Sequence, residues 1–97
     1  MLRVSFNRLA ERELNDAALY YERESPGLGM KFLDEIDRYI AAILKNPNAG
    51  QSIRGPVRRR LLRKFPYGIL YSVKENEIRI LAIMNLRRRP TYWVRRS

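Results

Sequence analysis

Apolar positions along the chain change period twice. Leu2, Val4 and Phe6 alternate with Arg3 and Ser5, the period-two pattern of a short strand with one buried face. Asn7 is then suited to cap a helix, because its side chain can accept from a free backbone N–H of the first turn. To about Arg23 or Glu24 the period becomes helical. Ala10, Leu14, Ala17 and Tyr21 form one stripe, and Glu11, Arg12, Asp16 and Arg23 lie on the opposite side. Ser25-Pro26-Gly27 breaks this helix and can open a second, with Ser25 as cap and Pro26 at the first helical position. Gly27 and Gly29 weaken that first turn. From Phe32 the stripe is strong, with Leu33, Ile36, Tyr39, Ile40, Ile43 and Leu44, until Asn46-Pro47 ends it. Two amphipathic helices with a short joint form a hairpin, expected to cover a sheet through Leu14, Tyr21, Phe32, Ile36, Ile40 and Ile43.

Residues 46–56 read as a polar loop, and from Val57 the chain returns to strand-like runs. These are Val57 to Phe65, Tyr67 to Lys74 and Ile78 to Met84, with turns at Pro66-Tyr67-Gly68 and at Lys74-Glu75-Asn76-Glu77. Strict alternation places Tyr67, Ile69, Tyr71 and Val73 on one face of the middle run. It places Ile78, Ile80, Ala82 and Met84 together on the last, with Leu70, Leu81 and Ile83 facing the other way. The sheet is therefore apolar on parts of both sides. The side away from the helices needs a cover, either the aromatic-basic tail after Pro90 or a partner. The expectation is a single α+β domain over 1–97 with the order β-α-α-β-β-β. Its helical hairpin packs on one face of a curved antiparallel sheet, and residues 90–97 form the tail.

Composition narrows the chemistry. There is no cysteine and no histidine, which removes disulfides, thiolate metal sites, the usual imidazole ligand and the usual general base near neutral pH. No metal and no cofactor is expected. No apolar run approaches the roughly 18 residues that span a bilayer, and Met1 to Phe6 lacks a signal-peptide core, so a cytoplasmic location without membrane contact is expected. The net charge of +10 is lopsided. Residues 1–53 hold seven basic and eight acidic side chains, whereas residues 54–97 hold thirteen basic and two acidic. Such a split points to a polyanionic partner: nucleic acid, an acidic protein segment or a nucleic-acid-bound machine.

Several short pieces in this order carry a resemblance. They are Ala17-Ala18-Leu19-Tyr20-Tyr21-Glu22, Gly27-Leu28-Gly29 with Phe32 and Glu35, and Val57-Arg58-Arg59. After these come Phe65-Pro66-Tyr67-Gly68-Ile69 with Tyr71, Ile80-Leu81-Ala82-Ile83, and Arg87-Arg88-Arg89-Pro90 with Tyr92-Trp93 and Arg95. Together they resemble the RelE/ParE toxin superfamily, within it the ParE-like, plasmid-stabilisation branch. The resemblance implies the toxin half of a type II toxin–antitoxin pair, silenced by a small acidic antitoxin whose C-terminal segment wraps it. ParE-like members typically poison DNA gyrase, whereas RelE-like members cut mRNA in the ribosomal A site. Operator DNA would be met only through the antitoxin.

The two activities make different demands. Ribosome-dependent cleavage needs a group to take the 2′-hydroxyl proton, cations for the phosphate and an acid for the leaving oxygen. RelE-like ribonucleases supply these from lysines and arginines on the central sheet and a tyrosine near the C-terminus. Here a ribonuclease site would fall to Arg59, Arg63, Arg87 and Tyr92. However, Leu61 stands where one basic residue belongs, Gly68 stands where a phosphate-gripping arginine belongs, and Trp93 falls at or beside the tyrosine position. Arginine, with a pKa above roughly 12, is a poor base, and an indole is no useful acid. The only carboxylates expected near the sheet are Glu75 and Glu77, in a turn away from the basic cluster.

The leading expectation is thus a non-enzymatic toxin that binds gyrase. A ribosome-dependent endoribonuclease is the alternative, and a non-toxic relative retained as antitoxin partner and co-repressor is the second alternative. The candidate target- or antitoxin-binding residues are Arg58, Arg59, Arg60, Arg63 and Lys64, then Arg87, Arg88, Arg89, Trp93 and Arg95. Acidic antitoxin residues are expected near Arg58–Lys64 or Arg87–Arg89. Tyr92-Trp93 reads either as a stacking platform for bases or as a tail folded back over the sheet. Tyr20, Tyr21 and Tyr39 are expected in the core or between helices.

Overall fold

The computed structural model describes residues 2–96. Strand β1 (Arg3–Phe6) leads into helices α1 (Arg8–Glu24) and α2 (Leu28–Lys45), then a short 3-10 turn (Pro47–Ala49). Four strands complete the sheet: β2 (Gln51–Arg54), β3 (Val57–Leu61), β4 (Tyr67–Lys74) and β5 (Glu77–Asn85). The sheet order is β1-β5-β4-β3-β2. The expected α+β architecture holds, with two refinements. The sheet is mixed, because β1 pairs β5 in parallel, and the polar loop contains an extra strand, β2. Gln51-Ser52-Ile53-Arg54 is exposed at every position, so it carries no apolar alternation for a sequence to reveal. It also makes β3 an interior strand.

The helices form where their caps place them. The Asn7 side chain accepts from Leu9 N–H at 2.8 Å, and α1 ends at Ser25, whose N–H donates to Tyr21 C=O. The second helix starts at Leu28, later than Ser25-Pro26 suggested, because Gly27 turns the chain at φ +88°. Glu22 of α1 substitutes for a local cap there. Its carboxylate accepts from the N–H groups of Gly27 and Gly29 at 3.0–3.1 Å, a favourable place for negative charge at a helix N-terminus. Gly29 also sets the closeness of the hairpin, since a Cβ there would lie 2.5 Å from Ala18 C=O.

One face of the sheet, the helix face, packs under the hairpin. Phe32, Ile36 and Ile43 are buried there with Ile69, Tyr71, Ile78, Ile80 and Ile83, while Leu14, Tyr21 and Ile40 pack at the margin. Tyr21, Phe32, Phe65 and Tyr67 form an aromatic knot with centroids 4.9–6.2 Å apart. The strand expected to reach Phe65 stops at Leu61. The chain then dips so that Leu62 and Phe65 enter this core, held by Lys64 N–H donating to the buried Glu35 carboxylate at 2.9 Å.

The other face, the tail face, holds Val57, Leu70, Leu81, Ala82, Met84 and Trp93. This corrects the strict alternation. Pairing shifts from Leu70↔Ala82 to Tyr71↔Ile80, so Leu81 is an extra residue in β5. A bulge of this kind turns the strand's later side chains over. Ala82 and Met84 therefore leave the company of Ile80, and Ile83 joins it.

Candidate functional site

Pairing across the sheet sorts the basic cluster. Arg58 lies opposite Tyr71 and Arg60 opposite Ile69, on the helix face; Arg59 lies opposite Leu70, on the tail face. The helix-face pair has internal work. Arg58 donates to Asn48 C=O at 3.1 Å and Gly50 C=O at 2.8 Å, fixing the loop before β2. Arg60 sits 5.5 Å from the centre of the Tyr39 ring. Arg63 and Lys64 lie exposed in the turn after β3. Arg59 donates to Gln51 Oε1 at 2.9 Å, while its Nε is buried with no partner.

Beside Arg59 the tail face is shaped by Leu61 and Gly68, which are directly paired. A Cβ at position 68 would fall 3.2 Å from Leu61 Cδ2 and 3.5 Å from Arg59 Cγ. Leu61 therefore leans over Gly68, and any longer side chain there would have to push it aside. Leu61 keeps 47% of its surface exposed. This end of the tail face is an apolar step beside Arg59.

Arg87 does not join Arg59. It lines a groove with Tyr20, Tyr21, Pro66, Tyr67 and Asn85, at the end of the sheet under α1. An adjoining groove shares Tyr20, Tyr67 and Asn85 and ends on Arg88 and Tyr92. Arg87, Arg88 and Tyr92 are thus brought near one another. Arg59 stands on β3, two strands from β5, roughly 10 Å away at normal strand spacing. Tyr20 was expected in the core or between helices; it is 56% exposed and edges both grooves.

The tail resolves the two readings of Tyr92-Trp93. Trp93 is 3% exposed, packs on the tail face, and donates its indole N–H to Pro90 C=O at 2.7 Å. It covers the sheet and offers no free donor. Tyr92 is held by Glu13 of α1, donating its hydroxyl to Oε2 at 2.7 Å. Arg96 grips the same carboxylate with both terminal nitrogens, at 2.8 and 3.0 Å. Arg88 and Arg96 lie 4.0 and 4.8 Å from the centre of the Tyr92 ring. Burial first, then the hydrogen bond and charge of Glu13, push the Tyr92 phenol well above its ordinary value near 10. A phenol so held is a weak acid, poorly placed to serve a leaving group.

Glu13 was missed, since in the sequence it is one more polar residue on an amphipathic helix. The signal is topological. The register of β1 on β5 ends at Phe6↔Ile80, so the outer edge of β5 beyond Ile80 has no strand beside it. Glu13 accepts from Ile83 N–H at 3.0 Å, and Arg96 donates to Leu81 C=O at 3.1 Å. One ion pair does for this half-edge what a strand would do. Glu13 and the buried Glu35 also correct the expectation that Glu75 and Glu77 are the only carboxylates at the sheet. Among the described residues no group of acidic side chains could hold a metal ion, and no helix is long and apolar enough to cross a membrane.

Comparison with known proteins agrees with this geometry. A family model described as the ParE toxin of the type II toxin-antitoxin system, parDE, matches residues 4–90. A solved structure described as the chromosomal ParDE TA system from P. aeruginosa aligns with a TM-score of 0.77 at 26% identity, covering 89% of this chain and 97% of that one. No curated protein matches.

Proposed function

The chain belongs to the ParE toxin family of type II toxin–antitoxin systems, and from that premise we propose that it arrests growth by binding DNA gyrase, without cutting RNA. The observation that carries the reading is Leu61 leaning over Gly68. Where a ribosome-dependent nuclease needs two cations on the phosphate, this sheet offers an apolar step. Arg59 and Arg87 stand on different surfaces, and Trp93 and Tyr92 have their donors engaged. Each missing transition-state contact costs on the order of 10²-fold, so little cleavage would survive.

The remaining surface suits protein recognition. Arg59 and Arg63 stand two residues either side of exposed Leu61, and Arg87 and Arg89 follow exposed Leu86 in the chain; each is apolar-and-basic surface that fits an acidic partner. The same surface would take the cognate antitoxin. An acidic antitoxin segment lying near Arg59–Lys64 and Arg87–Arg89 would deny it to gyrase.

Two assays test this. With toxin in excess, mRNA on ribosomes stays intact, while gyrase supercoiling falls or cleaved DNA complexes accumulate. Codon-dependent mRNA cuts that disappear in Arg59→Ala or Arg87→Ala would overturn the reading. Induced expression without antitoxin that leaves growth untouched would point to the non-toxic, co-repressor alternative.

A further inference from the structure

The two grooves at the end of the sheet under α1 adjoin, and they present groups of opposite charge. The Arg87 groove, about 330 Å³, is walled by Tyr20, Tyr21, Tyr67 and Pro66, and among the described residues Arg87 is the one charged side chain lining it. The second groove, about 290 Å³, shares Tyr20, Tyr67 and Asn85 and adds the Asp16 carboxylate. Its other charged groups are occupied, Glu13 by Tyr92 and Arg96 and Arg88 by the face of the Tyr92 ring. Asp16 and Tyr20 stand one turn apart on α1, so carboxylate and ring share a side of the helix. Among the described residues, the hydroxyls of Tyr20 and Tyr21, the Asp16 carboxylate and the Arg87 guanidinium have no hydrogen-bond or ion-pair partner. Burial pushes the Tyr21 phenol up, Tyr67 and Tyr20 add to this, and the charge of Arg87 opposes it, so the guanidinium stands close to Tyr21. We propose that the paired grooves bind one unpaired nucleotide, with its phosphate on Arg87, its base against the rings of Tyr20 and Tyr67, and the N–H edge of the base on Asp16.

The order of the groups selects this ligand. Aromatic rings beside an arginine suit a base and its phosphate together. An acidic peptide would also find Arg87, but the adjoining groove would then set Asp16 against it. A nucleotide carries its negative charge at one end and N–H donors at the other, and the grooves offer a cation and a carboxylate in the same order. Asn85, between them, is already engaged. It accepts from Arg87 N–H at 2.9 Å and donates to the Tyr67 hydroxyl at 3.4 Å, which fixes the wall and leaves the reading of the base to Asp16. An ionised carboxylate only accepts. Guanine offers it two neighbouring donors, on N1 and N2. Cytosine and adenine offer an amino group beside a ring acceptor. Uracil and thymine offer one N–H between two carbonyl oxygens, which a carboxylate repels. Guanine is therefore expected to bind best and uracil or thymine worst.

The site stands apart from the part of the tail face that bears Arg59 and Leu61, so it does not rest on gyrase being the target. If the target is an enzyme that holds DNA, the toxin would grip an exposed nucleotide of that DNA as well as the protein. An antitoxin segment lying over Arg87–Arg89 would close the groove.

The test titrates the purified chain with GMP, CMP, AMP, UMP and inorganic phosphate, read by calorimetry and by amide NMR shifts. Salt is held at about 0.15 M, where a Debye length of about 8 Å limits the general attraction of anions to a basic chain. The expected result is GMP binding with a Kd of about 1 mM or below, with shifts at the Asn85 side-chain amide and the Arg87 N–H. UMP and inorganic phosphate should bind at least about tenfold more weakly, a difference of 1.4 kcal/mol. Arg87→Ala and Tyr20→Ala, both at exposed positions, should each weaken GMP at least about fivefold, the low end for a lost stacking contact. Asp16→Asn should erase the preference for GMP over UMP. Arg54→Ala, an exposed cation on β2 at the far edge of the sheet, should change nothing. Circular dichroism should be native in all four variants. Inorganic phosphate that binds as tightly as GMP overturns the proposal, as does GMP binding indifferent to Arg87→Ala and Tyr20→Ala. A chain that binds no nucleotide but captures an oligoglutamate peptide, and loses it in Arg87→Ala, would overturn it in favour of an acidic protein segment.

Discussion

The two faces of this sheet are covered in different ways. The helix face lies under two long helices with well-made ends, and its core is a knot of aromatic rings and isoleucines. The tail face lies under a few residues whose backbone hydrogen bonds are all local, Tyr92 to Arg89, Val94 to Thr91 and Arg96 to Trp93. Side chains attach the tail: Trp93 on the sheet, and Tyr92 and Arg96 on Glu13. One cover belongs to the folding core; the other can loosen without breaking a single ladder bond. The looser cover lies beside Arg59 and Leu61, where the partner surface is proposed. This fits the general finding that binding elements come from the less stable parts of a fold.

The sharpest way to break the comparison is to hollow each side in turn. Phe32 is fully buried between three aromatic rings. Phe32→Ala should cost about 3–5 kcal/mol, the usual range for emptying such a site. Denaturant unfolding would read it as a lower midpoint at unchanged slope. A loss below about 1 kcal/mol would mean that the hairpin does not hold the core.

Glu13→Ala comes next. It strips the acceptor from Ile83 N–H, Tyr92 and Arg96 together. Because Glu13 and Arg96 keep 16% and 11% of their side-chain surface in water, the expected cost is about 2 kcal/mol, less than for a fully buried pair. Its distinctive sign is local. Trp93, the single tryptophan, should shift its emission to the red and become accessible to quenchers at denaturant concentrations where the far-ultraviolet signal is still native. Coincident loss of both signals would show the two covers to be one cooperative unit.

Arg58 and Arg59 sharpen the comparison at single-residue scale. Arg58→Ala removes two charged hydrogen bonds to loop carbonyls and should cost about 1–2 kcal/mol. Arg59→Ala loses one bond to Gln51 but also removes a buried, unpaired N–H, so its stability should stay within about 0.5 kcal/mol of wild type. Antitoxin association should instead slow in Arg59→Ala, most strongly at low salt. The reverse pattern would move the partner surface to the helix side.

Much of the fold is legible in the chain because its core is periodic. The hairpin stripes, the N-terminal strand and the three long strands follow from apolar spacing alone. Each feature that escaped has a physical reason. The strand Gln51–Arg54 is exposed at every residue, so burial writes no pattern into it. The bulge at Leu81 is hidden because Ile80, Leu81, Ala82 and Ile83 are all apolar, and a run without polar residues conceals a change of phase. The parallel pairing of β1 is a matter of topology, which local spacing does not encode. For the site, the departures at Leu61, Gly68 and Trp93 could be read from sequence. Glu13 could not, since its partners Ile83, Tyr92 and Arg96 lie 70–83 positions away.

The smallest expected effect concerns pH. Three tyrosines, Tyr21, Tyr67 and Tyr92, have phenols held above their ordinary value near 10, in each case first by burial. A phenol whose folded pKa exceeds its unfolded one binds its proton more tightly when folded. The stability it contributes is complete below the unfolded value and drains away as pH rises through about 10 toward the folded value. The unfolding free energy should therefore be flat from neutrality to about pH 9 and fall above it. Tyr92 has the largest shift of the three, and Glu13 adds to it with a hydrogen bond and a charge. Tyr92→Phe should lower stability at neutral pH by only about 1 kcal/mol, for one lost hydrogen bond on a half-buried ring. It should also flatten the alkaline decline more than Tyr21→Phe or Tyr67→Phe. Trp93 fluorescence, monitored along the same titration, separates the two covers once more. If the tail yields first, its emission changes at a pH where the helical signal is still intact, and in Tyr92→Phe that early change moves upward. An alkaline transition identical in wild type and Tyr92→Phe would show that the hold of Glu13 on the tail does not depend on the phenol, leaving Arg96 as the group that carries it.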